Sequence, residues 1–300
     1  MTDMAITDVV NPQPTDRGPG PRGHRLRRSL SFVRQRPLLA LGVFIVFVTF
    51  FLAAFGPIVA PYSPTAADGS AILQPPSAEH WMGTDSAGSD VLSRVMAAPR
   101  IDVTIALVAT VISLVIGSLI GLLASYYEGW LGSLVMRVAD VVQAFPLFVL
   151  AMILVTTSGA SLVALVFAIA FLNIPIFMRL MRSQVLSVKG RTFVEAARAA
   201  GHREFKIAVR HVLPNSLEPG LIQASVTIGL AIILTAGLSF VGAGVRPPTP
   251  EWGSMISSGA DSLILGPWWP SVFPGIAMSI AVLGFAIVGE AMQDALGRNA

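Results

Sequence analysis

The sequence predicts an all-α integral membrane protein with six transmembrane helices, and three observations support this fold class. Of the 300 residues, 54% are hydrophobic and only 12% are charged, whereas soluble domains carry about a quarter charged residues. Several stretches without any Asp, Glu, Lys or Arg are as long as the roughly 20 apolar residues that cross a bilayer. Lys and Arg also collect on one side of these stretches, as they do in membrane proteins.

Five stretches contain no charged residue, and the third is long enough for two helices. A polar turn at residues 156–161 divides it, which gives six spans. The predicted spans cover residues 37–60, 101–125, 134–156, 160–180, 218–242 and 270–291. In larger units, we predict a disordered cytoplasmic tail at 1–30, a first span with a long outer loop at 31–100, and a five-helix core at 101–297. The core includes a cytoplasmic loop at 181–217.

The positions of Lys and Arg predict the orientation. With a cytoplasmic N-terminus, 17 of the 20 basic residues lie in cytoplasmic segments, and only Arg94, Arg100 and Arg246 lie outside. Both termini are therefore predicted to be cytoplasmic. The net charge of +3 reflects this topology and does not indicate a nucleic-acid partner. The chain has no Cys and its four His are far apart in the sequence, so neither a disulfide nor a metal site is predicted.

The cytoplasmic loop after the fourth span has the most specific pattern in the chain. The run from Glu195 to Gly201 predicts a short amphipathic helix with an apolar face of small side chains, ended by Gly201 in a left-handed cap. A second short helix carries Phe205 and is expected to stop at Pro214. Asn215 then forms a capping-box pattern with Glu218 at the start of the fifth span. Such a basic elbow is consistent either with a partner-binding segment or with a helix lying on anionic lipid.

The first and third outer loops, at about 61–100 and 243–269, are rich in Pro and Trp. Trp residues anchor proteins at the headgroup level of a membrane, and the same residues are also consistent with a docking surface for an external partner. Acidic residues outnumber basic ones in these loops. That excess favours docking only weakly, so both interpretations stay open here.

The spacing of Glu-Ala-Ala at 195–197, Gly201 and Leu-Pro at 213–214 resembles the signature of permease subunits of binding-protein-dependent ABC importers. His211 stands where the general pattern has Ile, and the peptide (nickel) transport branch of the family commonly has His there. Residues 80–94 and 242–253 are similar to two further stretches of that branch, in its second type of permease. Ser89, Ala98 and Asp102 depart from the usual Arg, Gly and Ser.

This resemblance implies the type I ABC importer permease fold and a subunit that imports di- or oligopeptides across a bacterial inner membrane. The alternatives are a permease for nickel or another small solute, or an ion-coupled secondary transporter. The implied partners are a second homologous permease in a heterodimer, two ABC ATPase subunits or domains, an extracytoplasmic substrate-binding protein, and lipid. ATP and Mg would bind the ATPases, because this chain has no G-x-x-x-x-G-K-[ST] loop and is predicted not to be an enzyme.

The resemblance also assigns candidate residues to two sites. Those for ATPase coupling are Glu195, Ala196, Ala197, Arg198, Gly201, Phe205, His211, Leu213 and Pro214. Those for docking of the binding protein are Gly83, Thr84, Asp85, Asp90, Arg94, Pro250, Glu251 and Trp252. We expect Glu195, with Arg198, to fix the elbow in a groove of the ATPase.

Polar residues inside the spans are candidates for the transport pathway: Gln143, Asn173, Gln223 and Thr227. Hydrogen bonds between helices are the competing use of such residues. A secondary transporter needs ionisable groups near mid-membrane, and we expect none in spans one, two, four or five. Arg137, Asp140 and Glu290 are expected near cytoplasmic ends.

Overall fold

A computed structural model describes residues 37–127 and 129–297, with side chains as far as 294, and these residues are helices joined by turns and loops. The predicted tail at 1–30 lies outside the described residues. In chain order the helices are α1 (Pro37–Val59), α2 (Val91–Ala97), α3 (Pro99–Tyr126), α4 (Trp130–Ala144), α5 (Leu147–Thr157), α6 (Leu162–Val188), α7 (Thr192–Ala199), α8 (Glu204–Ile207), α9 (Leu213–Ser216), α10 (Glu218–Phe240), α11 (Trp252–Leu263) and α12 (Trp269–Gly297).

Five helical segments in this part of the chain are long and apolar enough to cross a membrane: α1, α2 with α3, α6, α10 and α12. The pair α4 and α5 makes a sixth if it is counted as one broken span. The prediction of an all-helical membrane protein with six spans is therefore confirmed. The shorter α11 lies outside this set, between α10 and α12.

The third span differs from the single helix predicted at 134–156. It begins earlier, at Trp130, and bends by 95° between α4 and α5. Pro146 causes the break, because a residue before proline is driven out of the helical region. Phe145 accordingly has φ −78° and ψ 144°.

The fourth span is longer than predicted. Gly159 and Ala160 adopt positive φ angles in the expected turn, and the Ser161 hydroxyl accepts a hydrogen bond from the Ala164 N–H at 3.1 Å. From there α6 continues to Val188, past the predicted end at residue 180. The cytoplasmic loop therefore starts later than residue 181.

Close contact between α3 and α6 forms the centre of the molecule, and glycine makes it possible. A Cβ atom placed on Gly117 would lie 2.7 Å from the Ile174 carbonyl oxygen, and one on Gly121 would lie 2.6 Å from that of Met178. Small residues let membrane helices approach in this way. Gly42 of α1 and Gly284 of α12 also lie in a close contact, where an added Cβ would meet the side chains of Ile287 and Ile45.

We predict that Gly121→Ala lowers stability by about 1–3 kcal/mol, because the added methyl group has to push α3 away from the α6 backbone. The matched control is Gly275→Ala in α12, where the nearest atom to an added Cβ is Ile256 Cδ1 at 4.0 Å. Thermal unfolding of the purified protein in detergent measures both changes. Equal stability of the two variants would contradict this account of the α3–α6 contact.

Candidate functional site

The segment that we call the elbow, residues 189–217, contains the predicted helix α7. Gly201 has φ +78°, its N–H donates to the Arg198 carbonyl at 3.0 Å, and the His202 N–H donates to the Ala197 carbonyl at 3.2 Å. This pair of bonds is the glycine-ended helix cap that the sequence predicts. Gly201 thus turns the chain sharply from α7 toward α8.

The second half of the elbow corrects two predictions. Pro214 does not stop the second helix, because a π-helical turn at Ala208–Val212 leads directly into α9, which contains the proline. The wider π turn accommodates a ring that would clash with a regular α-helix. The predicted capping box is also absent from this segment: Leu217 occupies the N-cap of α10 without a side-chain bond, and Asn215 donates to the His211 carbonyl at 2.7 Å.

An apolar cluster fastens the elbow to the spans. Val194 of α7, Ile207 of α8 and Val212 are fully buried. They pack against Leu122 of α3 and Val185 of α6, which are also fully buried. Both elbow helices therefore contribute to one buried cluster with α3 and α6.

Beside this cluster, on the exposed side, Glu204, Arg198 and Tyr126 form a hydrogen-bonded group that we call the polar anchor. The Glu204 carboxylate accepts hydrogen bonds from Arg198 Nε at 2.7 Å and Arg198 Nη2 at 3.2 Å, and it also accepts one from the Tyr126 hydroxyl at the end of α3. The Arg198 bond, followed by the Tyr126 bond, lowers the pKa of Glu204 to about 2. The carboxylate is therefore charged throughout the physiological pH range.

The outer face of the elbow is open. Of the nine predicted coupling residues, Glu195, Ala196, Arg198, Gly201, Phe205 and Pro214 are exposed, and Ala197, His211 and Leu213 are half-buried. Phe205 is 62% exposed, although it belongs to a cytoplasmic segment on the predicted topology. Arg198 bonds to Glu204 within the chain, so its expected contact with another protein stays a prediction.

The residues predicted to dock a binding protein occupy the opposite end of the molecule, and most are buried. Gly83, Thr84, Asp90, Arg94, Glu251 and Trp252 are buried, while Asp85 and Pro250 are half-buried. The Arg94 guanidinium donates to the carbonyls of Pro64 at 3.2 Å and Pro248 at 3.3 Å, and it lies 3.4 Å from Asp85. These residues join the first and third outer loops. A docking role for these residues stays a prediction. In this conformation their buried side chains would affect a partner only by setting the shape of the two loops.

Two carboxyl groups meet where the third outer loop crosses the start of α3. Asp102 and Glu251 are fully buried and interact through their side chains. Glu251 caps α11 by accepting from the N–H groups of Gly253 and Ser254, both at 2.7 Å, and Asp102 Oδ2 accepts from the Trp252 N–H at 3.2 Å. Burial raises the pKa of Glu251. Asp102 Oδ1 has no donor within the described chain, and a proton held between the two carboxyl groups would satisfy this atom.

The pathway candidates divide into two groups. Asn173 is buried and donates to the Ile169 carbonyl at 2.8 Å, and Thr227 is also buried. Gln143 and Gln223 are half-buried. Asn173 thus bonds within its own helix, and the pathway role of all four residues stays a prediction.

The expectation that spans two and four carry no ionisable group near mid-membrane stays a prediction, although each of these spans contains an ionisable residue away from its centre. Asp102 lies in the first turn of α3, and Arg179 lies inside α6. Arg179 forms an exposed ion pair with Asp140 of α4, with Nη2 and Oδ1 2.7 Å apart.

Residues 100–300 match the family described as "Binding-protein-dependent transport system inner membrane component". The chain belongs to this family. It is therefore a multi-pass permease component of an ABC importer, and family membership implies ATPase and substrate-binding partners.

Relatives of this permease are similar over most of their length. It is 37% identical over 270 residues to the dipeptide transport system permease protein DppC of Alkalihalophilus pseudofirmus, covering 90% of this chain and 88% of that one. It is 36% identical to the probable D,D-dipeptide transport system permease protein DdpC of Escherichia coli, with 98% and 96% covered. It is also 36% identical to the glutathione transport system permease protein GsiD of Pectobacterium atrosepticum, with 88% of each covered.

Among solved structures, the permease is similar to a chain of the inward-facing MetNI methionine ABC transporter. The TM-score is 0.53 at 19% identity, and the match covers 65% of this chain and 93% of the other. This likeness concerns the fold alone. It confirms the predicted type I importer permease architecture.

We predict that Tyr126→Phe loosens the elbow of this permease, because the variant loses the hydroxyl that bonds Glu204. Amide hydrogen exchange in residues 192–207 should rise several-fold. Tyr127→Phe is the matched control, since Tyr127 is 52% exposed and lies outside this network. Exchange that is unchanged in Tyr126→Phe, or that rises equally in both variants, would show that the anchor does not stabilise the elbow.

A second prediction concerns the acid pair. In Asp102→Asn the amide can accept from Trp252 and donate to Glu251, so stability should stay close to that of the wild type. In Asp102→Ala the Trp252 N–H loses its partner, and stability should fall by about 1–3 kcal/mol. Thermal unfolding distinguishes the two variants, and an equal loss in both would argue against a shared proton.

Proposed function

We propose that this permease forms one half of a heterodimeric importer for di- or oligopeptides in a bacterial cell membrane. A second homologous permease would complete the pathway, and an extracytoplasmic binding protein would deliver the peptide. The substrate class is supported by the relatives named above, whose names specify dipeptide, D,D-dipeptide and glutathione transport. These molecules are all short peptides.

The energy for transport would come from two ABC ATPase subunits or domains that bind ATP and Mg. The exposed outer face of the elbow is the observation that supports their docking there. Phe193 and Phe205 present aromatic surface, Ala196 and Ala200 present small side chains, and Glu195 presents a charge. Exposed apolar groups of this kind mark interaction surfaces.

Coupling would then follow from how the elbow is held. When ATP draws two ATPases together, the elbow would move with its ATPase. The buried cluster of Val194, Ile207 and Val212 against α3 and α6 would carry that motion into the spans. The pathway would open alternately to the two sides of the membrane.

The charge distribution supports the orientation of the chain. Placing both termini and the elbow in the cytoplasm leaves three of the 20 basic residues outside. The same orientation puts the loops joined by Arg94 on the side where a binding protein would dock.

The coupling proposal predicts that Phe205→Ala weakens retention of the ATPase. Truncation of an aromatic side chain that fills a pocket on a partner typically reduces binding. Co-purification of the ATPase with the tagged permease should fall several-fold. Phe167→Ala, at a 60% exposed site on α6, should retain it, and full retention in Phe205→Ala would refute docking through this residue.

The elbow geometry gives a second test. Gly201→Ala places a Cβ on a residue with φ +78°, a conformation that costs an L-residue about 1–2 kcal/mol. We expect the complex to assemble but to lose most peptide-stimulated ATP hydrolysis, and Glu195→Ala to act in the same direction. Normal hydrolysis and uptake in both variants would refute the coupling role.

The substrate class is tested by transport itself. A strain lacking this gene should lose ATP-dependent uptake of labelled di- or oligopeptides, and the wild-type gene should restore it. Unchanged peptide uptake in the deletion strain, with the paralogous peptide importers removed, would overturn the peptide assignment.

A further inference from the structure

Exposed polar side chains form a stripe along α4 and α6. Ser133, Arg137 and Asp140 lie at spacings of four and three on α4, so they share one face of that helix. Arg179 and Ser183 lie four residues apart on α6 and are also exposed. We call these five residues the polar stripe.

The polar stripe runs beside the packed contact between the two helices. Met136 and Ala139 of α4 are buried against Met178 of α6, so the buried face of α4 adjoins the stripe. The other exposed face of α4 is apolar and consists of Leu131, Leu134, Val138 and Val141. One helix therefore presents separate apolar and charged surfaces.

The depth of the stripe argues against lipid as its surroundings. Met178, next to Arg179, packs against Gly121. Gly121 is five residues before the cytoplasmic end of α3 at Tyr126, or about 7.5 Å along the helix axis. Charged side chains this far from a helix end either reach the aqueous interface or face a water-filled cavity, because direct contact with hydrocarbon is costly. The apolar face of α4 is compatible with contact to lipid or to a second permease, whereas the polar stripe is compatible with contact to water.

The ion pair in the stripe has unused binding capacity. Arg179 and Asp140 are 47% and 61% exposed, and one nitrogen of the guanidinium bonds one carboxylate oxygen. A guanidinium has five N–H donors in a planar fork that fits a carboxylate. Arg137, three residues before Asp140, adds a second exposed cation that forms no ion pair with the described chain. The three charges sum to +1, which favours an anionic ligand.

We infer that Arg179, positioned by Asp140 and assisted by Arg137, is a binding site for the C-terminal carboxylate of a peptide on the cytoplasmic half of the pathway. This inference depends on the proposed function, because it assumes a peptide substrate. The open exposure of the pair makes the contact weak. Weak contact is what a pathway requires, since a substrate that enters must also leave.

The natural absence of cysteine permits a direct test of the surroundings of the stripe. Ser133→Cys and Ser183→Cys are introduced singly, with Val138→Cys and Val141→Cys on the apolar face as matched controls. The purified, assembled importer without nucleotide is treated with a charged maleimide. The stripe positions should react many times faster than the control positions. Stripe positions that react as slowly as the controls, in a complex that still hydrolyses ATP, overturn the inference.

Protection by peptide then tests the ligand. Trialanine with a free carboxylate should slow the labelling of Ser183→Cys several-fold, and trialanine amide should not. Arg179→Gln should remove this protection, Arg179→Lys should restore part of it, and Arg246→Gln should leave it intact as a charge-matched control in the outer loop. Folding of each variant is checked by assembly with the partner subunits.

Equal protection by the acid and the amide overturns the carboxylate site, and so does full protection in Arg179→Gln. These results are distinguishable from failure of the proposed function. If ATP-dependent peptide uptake is normal but peptide does not slow the labelling, only the carboxylate site is rejected. If peptide uptake is absent, the proposed peptide import itself is rejected.

Discussion

Packing of the elbow against α3 and α6 is the interaction that fixes the exposed face of the elbow relative to the spans. The sequence has no G-x-x-x-x-G-K-[ST] nucleotide-binding loop, and the elbow combines an exposed outer face with a buried inner face. Val194 and Ile207 fix it by packing against Leu122 and Val185. The polar anchor of Tyr126, Glu204 and Arg198 limits rotation on the exposed side, and Phe205 remains free on the outer face.

The two ends of the molecule use polar groups differently. At the outer end, Arg94 and Glu251 are buried and hydrogen-bond to backbone groups, and the bonds of Arg94 join two long loops. At the inner end, Glu204, Asp140 and Arg179 are exposed. Glycine contacts between α3 and α6 connect the ends. The two ends of the permease therefore differ: polar groups join the loops at the outer end and remain exposed at the inner end.

Sequence periodicity and charge predicted the helical class, the number of spans and the left-handed cap at Gly201, because these depend on local pattern. The bend at Pro146 and the π turn before Pro214 depend on how neighbours accommodate a proline, which spacing does not encode. The burial of Glu251 and Arg94 was missed because residues distant in sequence enclose them. The length of the fourth span was underestimated because the charge of Arg179 suggested a span end, although α6 continues to Val188.

We infer that the elbow of this permease binds a nucleotide-hydrolysing partner. A photoreactive amino acid at position 205, in the assembled importer, tests it most directly. We expect position 205 to cross-link to the ATPase subunit, with a yield that changes when ATP binds. A complex that hydrolyses ATP while position 205 cross-links only to lipid would contradict the account.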